Sequence, residues 1–245
     1  MKDNFSQQAA GYAQYRPDYP PSLFGFILAH TKGRAAAWDC ATGNGQTAKE
    51  LARYYEKVFA TDISQKQLDH AVQRENIIYS LQPAEHAVFD NDLFDLVTVS
   101  QALHWFDFAA FYAEVRRVGK PGGAIAVWTY PLLRISAAID AILDHYHFQT
   151  LGPYWDSERK YVDAGYATIP FPFEEIAAPS FVMEYEWTLP VLEGYLRTWS
   201  ALAKFMAKND HDPVIEVIQR IRPLWNTEKM KISFPVCLRM GRIDK

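Results

Sequence analysis

The stretch that most constrains this chain is "AAAWDCATGNGQTA", Ala35 to Ala48. A small apolar run ends in an acid, Asp39, passes through Gly43 and Gly45, and opens into a helix-like segment. A run that is apolar throughout is a strand buried on both faces, the mark of a parallel sheet covered by helices. In an open α/β sheet the ligand lies beyond the carboxyl ends of the strands. Glycines directly after the first strand therefore mark a crevice where the backbone comes close to a ligand.

The chain around this turn alternates in the same way. "KVFATDI", "LFDLVTVSQ" and "GAIAVWTY" read as further strands. "PPSLFGFILAH", Gln46 to Tyr55, "SQKQLDHAVQR" with Ser64 as its N-cap, and the amphipathic "FDFAAFYAEVRRV" read as helices, with "GKPGG" as a turn. After Tyr130 come helical segments rich in aromatics, a strand "SFVMEYEW", two helices and a closing strand "KISFPVCLRM". Pro235 inside that last strand points to an edge or a bulge, because proline cannot donate to a ladder.

Composition narrows the function. A chain of 245 residues suits one large α/β domain, here taken as 1–245, with 1–19 as a lid and 131–175 and 190–226 as cap elements. The net charge of -4, without a Lys/Arg block, argues against nucleic acid. Cys40 and Cys237 stand far apart with no metal-ligand spacing, so neither a disulfide framework nor a metal site is expected. No run approaches the roughly 18 apolar residues of a membrane span, and "MKDNFSQQAAGY" has no apolar core of a leader, so a cytosolic protein without a membrane partner is expected.

The glycine turn alone leaves the ligand open. G-N-G-Q-T-A fits the dinucleotide pattern, and Asp62 ends the next strand at the offset of a ribose-binding acid. Asp39 helps choose between candidates. A pyrophosphate needs helix-terminal N–H groups free of competing negative charge, whereas an acid at the strand mouth suits a cation. S-adenosylmethionine carries an ammonium and a sulfonium and no phosphate, so Asp39 favours it over NAD.

Taken together, "WDCATGNGQTA", "ATDIS", "AEHAVFDNDLFDLVTVSQALHWFD" and "VGKPGGAIAVW" resemble the successive motifs of class I S-adenosylmethionine-dependent methyltransferases. The N-terminal "FSQQAAGYAQYRPDYP", the "HWFD", "LGPYWDSERKYVDAGY" and "YLRTWSA" resemble the trans-aconitate methyltransferase-like branch. The resemblance implies a Rossmann-like α/β fold: a seven-stranded, mostly parallel sheet with its last strand antiparallel, under a helical cap. It implies that Asp39, Ala41, Gly43 and Gly45 surround the methionine moiety, that Asp62 and Ile63 meet the ribose, that Ala84 and Glu85 hold the adenine edge, and that Gln101 and Ala102 flank the sulfonium. It also implies that Tyr12, Tyr15 and Arg16 fold over the cofactor. Ala41 stands where the family's first glycine is usual, and alanine keeps the turn if its φ is negative.

Methyl transfer is an in-line displacement, so alignment and exclusion of water do most of the work. A carboxylate acceptor is already ionised at neutral pH, while a hydroxyl or amine must lose a proton to a base. His104, just past the fourth strand, is either that base or a structural histidine holding Asp107 or a carbonyl. Trp105 is expected as a wall beside the cofactor. Arg159 and Arg197 are candidates to clamp an acceptor carboxylate, or else ion-pair partners within the cap. Trp155, Tyr166 and Trp199 line an acceptor pocket or pack the cap. The expected function is methyl transfer to a small molecule, with a carboxylate favoured. An NAD-dependent oxidoreductase and a non-catalytic S-adenosylmethionine-binding protein are the alternatives.

Overall fold

A computed structural model describes residues 17–245. Five strands form a parallel block: β1 (Ala36–Cys40), β2 (Lys57–Asp62), β3 (Ile77–Leu81) at one edge, β4 (Phe94–Ser100) and β5 (Gly119–Thr129). The order runs β3-β2-β1-β4-β5, and then β8 (Met230–Arg242) joins β5 antiparallel. The outer side of β8 carries β6 (Glu174–Glu175) against Arg242 and Gly241, and β7 (Phe181–Trp187) against Val236 to Met230. These two occupy consecutive stretches of one edge and act as a single interrupted strand. The sheet thus has seven positions, one of them antiparallel, as the sequence implies.

Side chains alternate across each strand, so β1 sends Ala37 to one face and Trp38 to the other. Over the first face lie α1 (Pro21–Ala29) and α2 (Gln46–Leu51), joined by cap helices α5 (Ala137–Asp144), α7 (Leu189–Arg197), α8 (Ser200–Met206) and α9 (Pro213–Ile221). On the second face α4 (Phe108–Val118) packs Phe111 and Val115 on Trp38 and Phe94, and α6 (Arg159–Asp163) adds Val162. Helix α3 (Gln65–Asp69) follows β2.

Several local expectations change. Strand β3 has no counterpart in the sequence reading, because "IIYSL" is short and half-exposed at the edge, with Ile78 at 44% exposure. "GKPGG" is not a turn but the start of β5, with Gly119 opposite Phe94 and a register shift before Ala124 meets Leu96. Three helices, not two, follow β7. Pro235 pairs with Val182 of β7, while β5 ends opposite Cys237. The Ser233 N–H reaches Arg134 O on the β5 side, so the nitrogen of Pro235, two residues on, faces a side where β5 has ended, and the edge alternative holds there. Residues 17–19, assigned to a lid, are tied down. Tyr19 is buried against Trp128 and meets Ser100, while the Gln46 side chain donates to Pro17 O and Asp18 Oδ1.

At the amino ends of the strands, away from the ligand face, Asp95 Oδ2 accepts from the N–H groups of Ala35 and Ala36 at 2.9 and 3.0 Å, and Oδ1 accepts from Lys120 Nζ at 2.7 Å. Replacing Asp95 by Ala orphans two backbone donors, at least one of them buried, so Asp95→Ala is expected to cost ~2–4 kcal/mol and lower Tm by several degrees. Affinity for a ligand at the opposite edge should stay unchanged. Thermal unfolding beside calorimetric titration checks both halves of this expectation.

Candidate cofactor and acceptor site

Asp39 is fully buried beneath the glycine loop. Its Oδ2 accepts from Thr42 Oγ1 at 2.5 Å and its Oδ1 from Thr98 Oγ1 at 2.8 Å, so the carboxylate ties the loop to β4. The Ala48 backbone N–H in the first turn of α2 also hydrogen-bonds it. Burial raises the Asp39 pKa to about 6 against these hydrogen bonds, with Asp62 adding a smaller push in the same direction. Asp39 has no exposed surface, and its carboxylate underlies the loop that the sequence places around the methionine moiety.

The loop above it is left-handed three times, at Ala41 (φ 54), Gly43 (φ 57) and Gly45 (φ 81). The negative φ expected of Ala41 is not adopted. Alanine bears the left-handed cost there, roughly 1–2 kcal/mol, because Thr42 is fixed on both sides, by Asp39 and by its N–H to Thr61 O at 2.9 Å. Gly45 has a second reason to be glycine, since a Cβ would lie 2.3 Å from Tyr79 Oη. Asp62, at the end of β2, accepts from Gly43 N and Ser64 N, each at 2.9 Å, and so shapes the loop and the turn at Ile63 together.

This set fits S-adenosylmethionine. Asn44 Oδ1 is a buried acceptor in the loop without a hydrogen-bond donor among the described residues. Two acids stand close enough to raise each other's charge cost, and the Ala48 N–H that a phosphate would need is spent on Asp39. Acceptors and negative field suit an ammonium and a sulfonium, and oppose a pyrophosphate.

Past β4 the backbone turns left-handed again at Gln101 (φ 57), whose N–H donates to Trp128 O at 2.9 Å and whose Oε1 accepts from Thr129 Oγ1. A bulky residue in this region is strained, and strain held by neighbours gathers at functional sites. Ala102 is buried, and a 3-10 turn then presents His104 and Trp105 with their rings 4.7 Å apart. Glu85 accepts from Asp107 N at 3.2 Å, joining the loop of buried Ala84 to the start of α4. His104 does not hold Asp107, which caps α4 through Ala110 N. Its Nδ1 instead lies 2.9 Å from Tyr166 Oη. Burial, aided by the nearby Arg159 charge, lowers the His104 pKa to about 3, so the ring is neutral at physiological pH.

The cap divides the two arginines. Arg197 is spent on structure, with Nε and Nη2 on Glu193 and Nη1 on Asp212 at 2.6 Å. Its role as an acceptor clamp is corrected on that ground. Arg159 is held by one nitrogen, Nε to Asp163 Oδ1 at 2.9 Å, and by its guanidinium over the Trp155 ring at 4.7 Å. Both Nη groups are without a hydrogen bond to the described residues, and α6 packs against the turn that carries His104. Trp199 stacks on Tyr146 inside the cap core, so it packs there, while half-buried Trp155 donates Nε1 to His147 O. Tyr12, Tyr15 and Arg16 lie outside the described residues. Sequence reasoning missed Thr42, Thr98, Asn44 and Asp163. Thr98 carried a signal, since one hydroxyl in the buried run "FDLVTVS" requires a partner.

A methyltransferase-domain family model matches residues 38–127. A Dictyostelium discoideum protein that carries a methyltransferase name is 30% identical over 98% of this chain and 95% of its own length. A solved structure from Anaeromyxobacter dehalogenans, described as a type II methyltransferase, is 36% identical, covers 94% of this chain and 99% of its own, and superposes with a TM-score of 0.87. The chain belongs to the class I S-adenosylmethionine-dependent methyltransferases, and S-adenosylmethionine is its methyl donor. A Haemonchus contortus phosphoethanolamine N-methyltransferase, solved with S-adenosylhomocysteine, shares the fold at 13% identity over 98% of this chain and 58% of its own, with a TM-score of 0.51.

The buried acid gives a pH signature. In the free protein Asp39 keeps its proton below about 6, and a bound cation favours the ionised form. Binding must then release protons below that pH, so affinity is full above about 6 and weakens by up to roughly tenfold per unit as pH falls through it. Calorimetry of S-adenosylhomocysteine and S-adenosylmethionine in buffers of different ionisation enthalpy measures the released protons. Asp39→Asn should remove the release, and a pH-independent affinity in the unsubstituted protein contradicts the assignment.

Proposed function

We propose that the protein transfers the methyl group to a carboxylate oxygen of a small molecule, as a member of the trans-aconitate methyltransferase-like branch. The observation that carries this reading is Arg159: a guanidinium oriented by Asp163 and Trp155, with its two Nη groups uncommitted beside His104. Such a fork matches a carboxylate through two parallel hydrogen bonds.

The bound cofactor supplies an electrophilic methyl on a cationic sulfur that leaves as a neutral thioether. The chain's part is to set Asp39 under the positive groups through the loop, to place Asp62 at the ribose, and to aim the acceptor from Arg159. A carboxylate forms its bond to the methyl carbon as the sulfur–carbon bond breaks and gives up no proton. A neutral His104 with a pKa of about 3 is a poor match for the proton of a hydroxyl or amine at neutral pH, which also favours an acceptor that needs no base. The two unpaired cysteines support a reducing compartment, and we place the protein in the cytosol.

A panel of small mono-, di- and tricarboxylates, phenols and amines, assayed by S-adenosylhomocysteine release, tests the reading. Arg159→Ala should raise KM for the best carboxylate by roughly tenfold to a hundredfold, the cost of a charge-assisted pair, with the affinity for S-adenosylmethionine unchanged. Arg197→Ala should lower Tm and leave KM alone. A phenol or amine as best substrate, or an unmoved KM in Arg159→Ala, rejects the carboxylate.

A further inference from the structure

Tyr166 is held in a conformation that an aromatic residue rarely adopts. Its φ is 63, its side chain is fully buried, and left-handed strain on such a residue costs on the order of 1–3 kcal/mol. Its surroundings over-determine it. The Tyr166 N–H donates to Tyr161 O at 2.8 Å, and its carbonyl accepts from Arg239 Nη1 at 3.1 Å, the same nitrogen that reaches Ile169 O at 2.5 Å. Gly165 before it is also left-handed and is pressed by Cys237, whose Sγ would lie 2.7 Å from a Cβ at that position. The outcome of this forced turn is a phenol placed 2.9 Å from His104 Nδ1.

The direction of that hydrogen bond follows from the two groups themselves. Nδ1 lies at hydrogen-bond distance from the phenol oxygen, and the Thr129 hydroxyl, which gives its own proton to Gln101 Oε1, lies near that oxygen as well. A phenol is the stronger donor and an imidazole nitrogen the stronger acceptor of the pair, so the phenol donates and Nδ1 accepts. A neutral imidazole with a bare Nδ1 carries its proton on Nε2. Nε2 has no hydrogen bond to a described residue, and unlike His147 Nδ1 it is not a sealed, orphaned atom. The charged groups that act on this ring are Arg159 and Asp163, both on α6.

We propose that Tyr166 is a positioning residue that locks His104 in its Nε2–H form, making His104 a hydrogen-bond donor into the acceptor site beside Arg159 rather than a base. The identity of the group that receives this bond rests on the carboxylate reading, whereas the tautomer does not. Two donors, one cationic and one neutral, then converge on an anionic acceptor, and the pair withdraws no proton from it.

Long-range proton–nitrogen correlation spectra of protein labelled with 15N-histidine read the tautomer directly, with His104 assigned by comparison with His104→Gln. Expected is a protonated Nε2 and an unprotonated Nδ1 that do not change between about pH 5.5 and 8.5. A protonated Nδ1, or a ring that titrates near the ordinary histidine pKa of about 6.5, overturns the proposal in the unsubstituted protein, whatever a variant does. Tyr166→Phe, folded by its circular dichroism, should show mixed tautomers and lose roughly tenfold to a hundredfold in kcat/KM for the acceptor, with a pH profile as flat as before. If Tyr166→Phe keeps both the tautomer and kcat/KM, the positioning role fails. An Nε2–H form combined with an unmoved KM in Arg159→Ala rejects the carboxylate and leaves the role of Tyr166 standing.

Discussion

The buried carboxylate of Asp39 is the interaction on which the ligand face depends. One side chain joins β1, which carries it, to the glycine loop through Thr42, to β4 through Thr98 and to the first turn of α2 through Ala48. Removing any of these partners would loosen the other two. The loop's left-handed residues, Ala41 among them, are tolerable only because these bonds hold Thr42 and Gly43 where they are. Burial makes the arrangement expensive for the ionised acid, and a cation above the loop relieves that cost. Loop geometry and local charge therefore come from the same group, which places a buried acid at the mouth of the first strand.

The second half of the chain completes the site from the other side. Strand β8 closes the sheet, and α6 rests on the turn that follows β4. Arg159 is thereby brought near His104, distant in sequence, and each is held by a neighbour, Asp163 for the guanidinium and Tyr166 for the imidazole. Preorganisation of this kind suits an in-line displacement, where alignment supplies much of the rate.

What the sequence revealed follows from how burial writes itself into residue order. Strands β1, β2, β4 and β5 are covered on both faces and so appear as unbroken apolar runs, while β3 is a half-exposed edge of five residues and leaves no such trace. "GKPGG" carries every signal of a turn yet begins a strand, because sheet pairing across a bulge outweighs local propensity. The glycines, Asp39 and Asp62 were legible because their spacing is local. The separation of Arg159 from Arg197 was not, since it depends on Asp212 reaching one of them. Nor was the partner of His104, which lies 62 residues away on a turn whose geometry only the fold enforces. Local chemistry announced the cofactor, whereas the surroundings of His104 and Arg159 are assembled by tertiary contacts.

The product itself tests the account most directly. After turnover with S-adenosylmethionine labelled with 13C in its methyl group, the labelled carbon is read in the isolated product by nuclear magnetic resonance and by treatment with mild alkali. The account predicts a methyl ester, with the carbon at an ester methoxy position and released as labelled methanol by hydrolysis. A label bound to nitrogen, carbon or a phenolic oxygen, and stable to alkali, would contradict it.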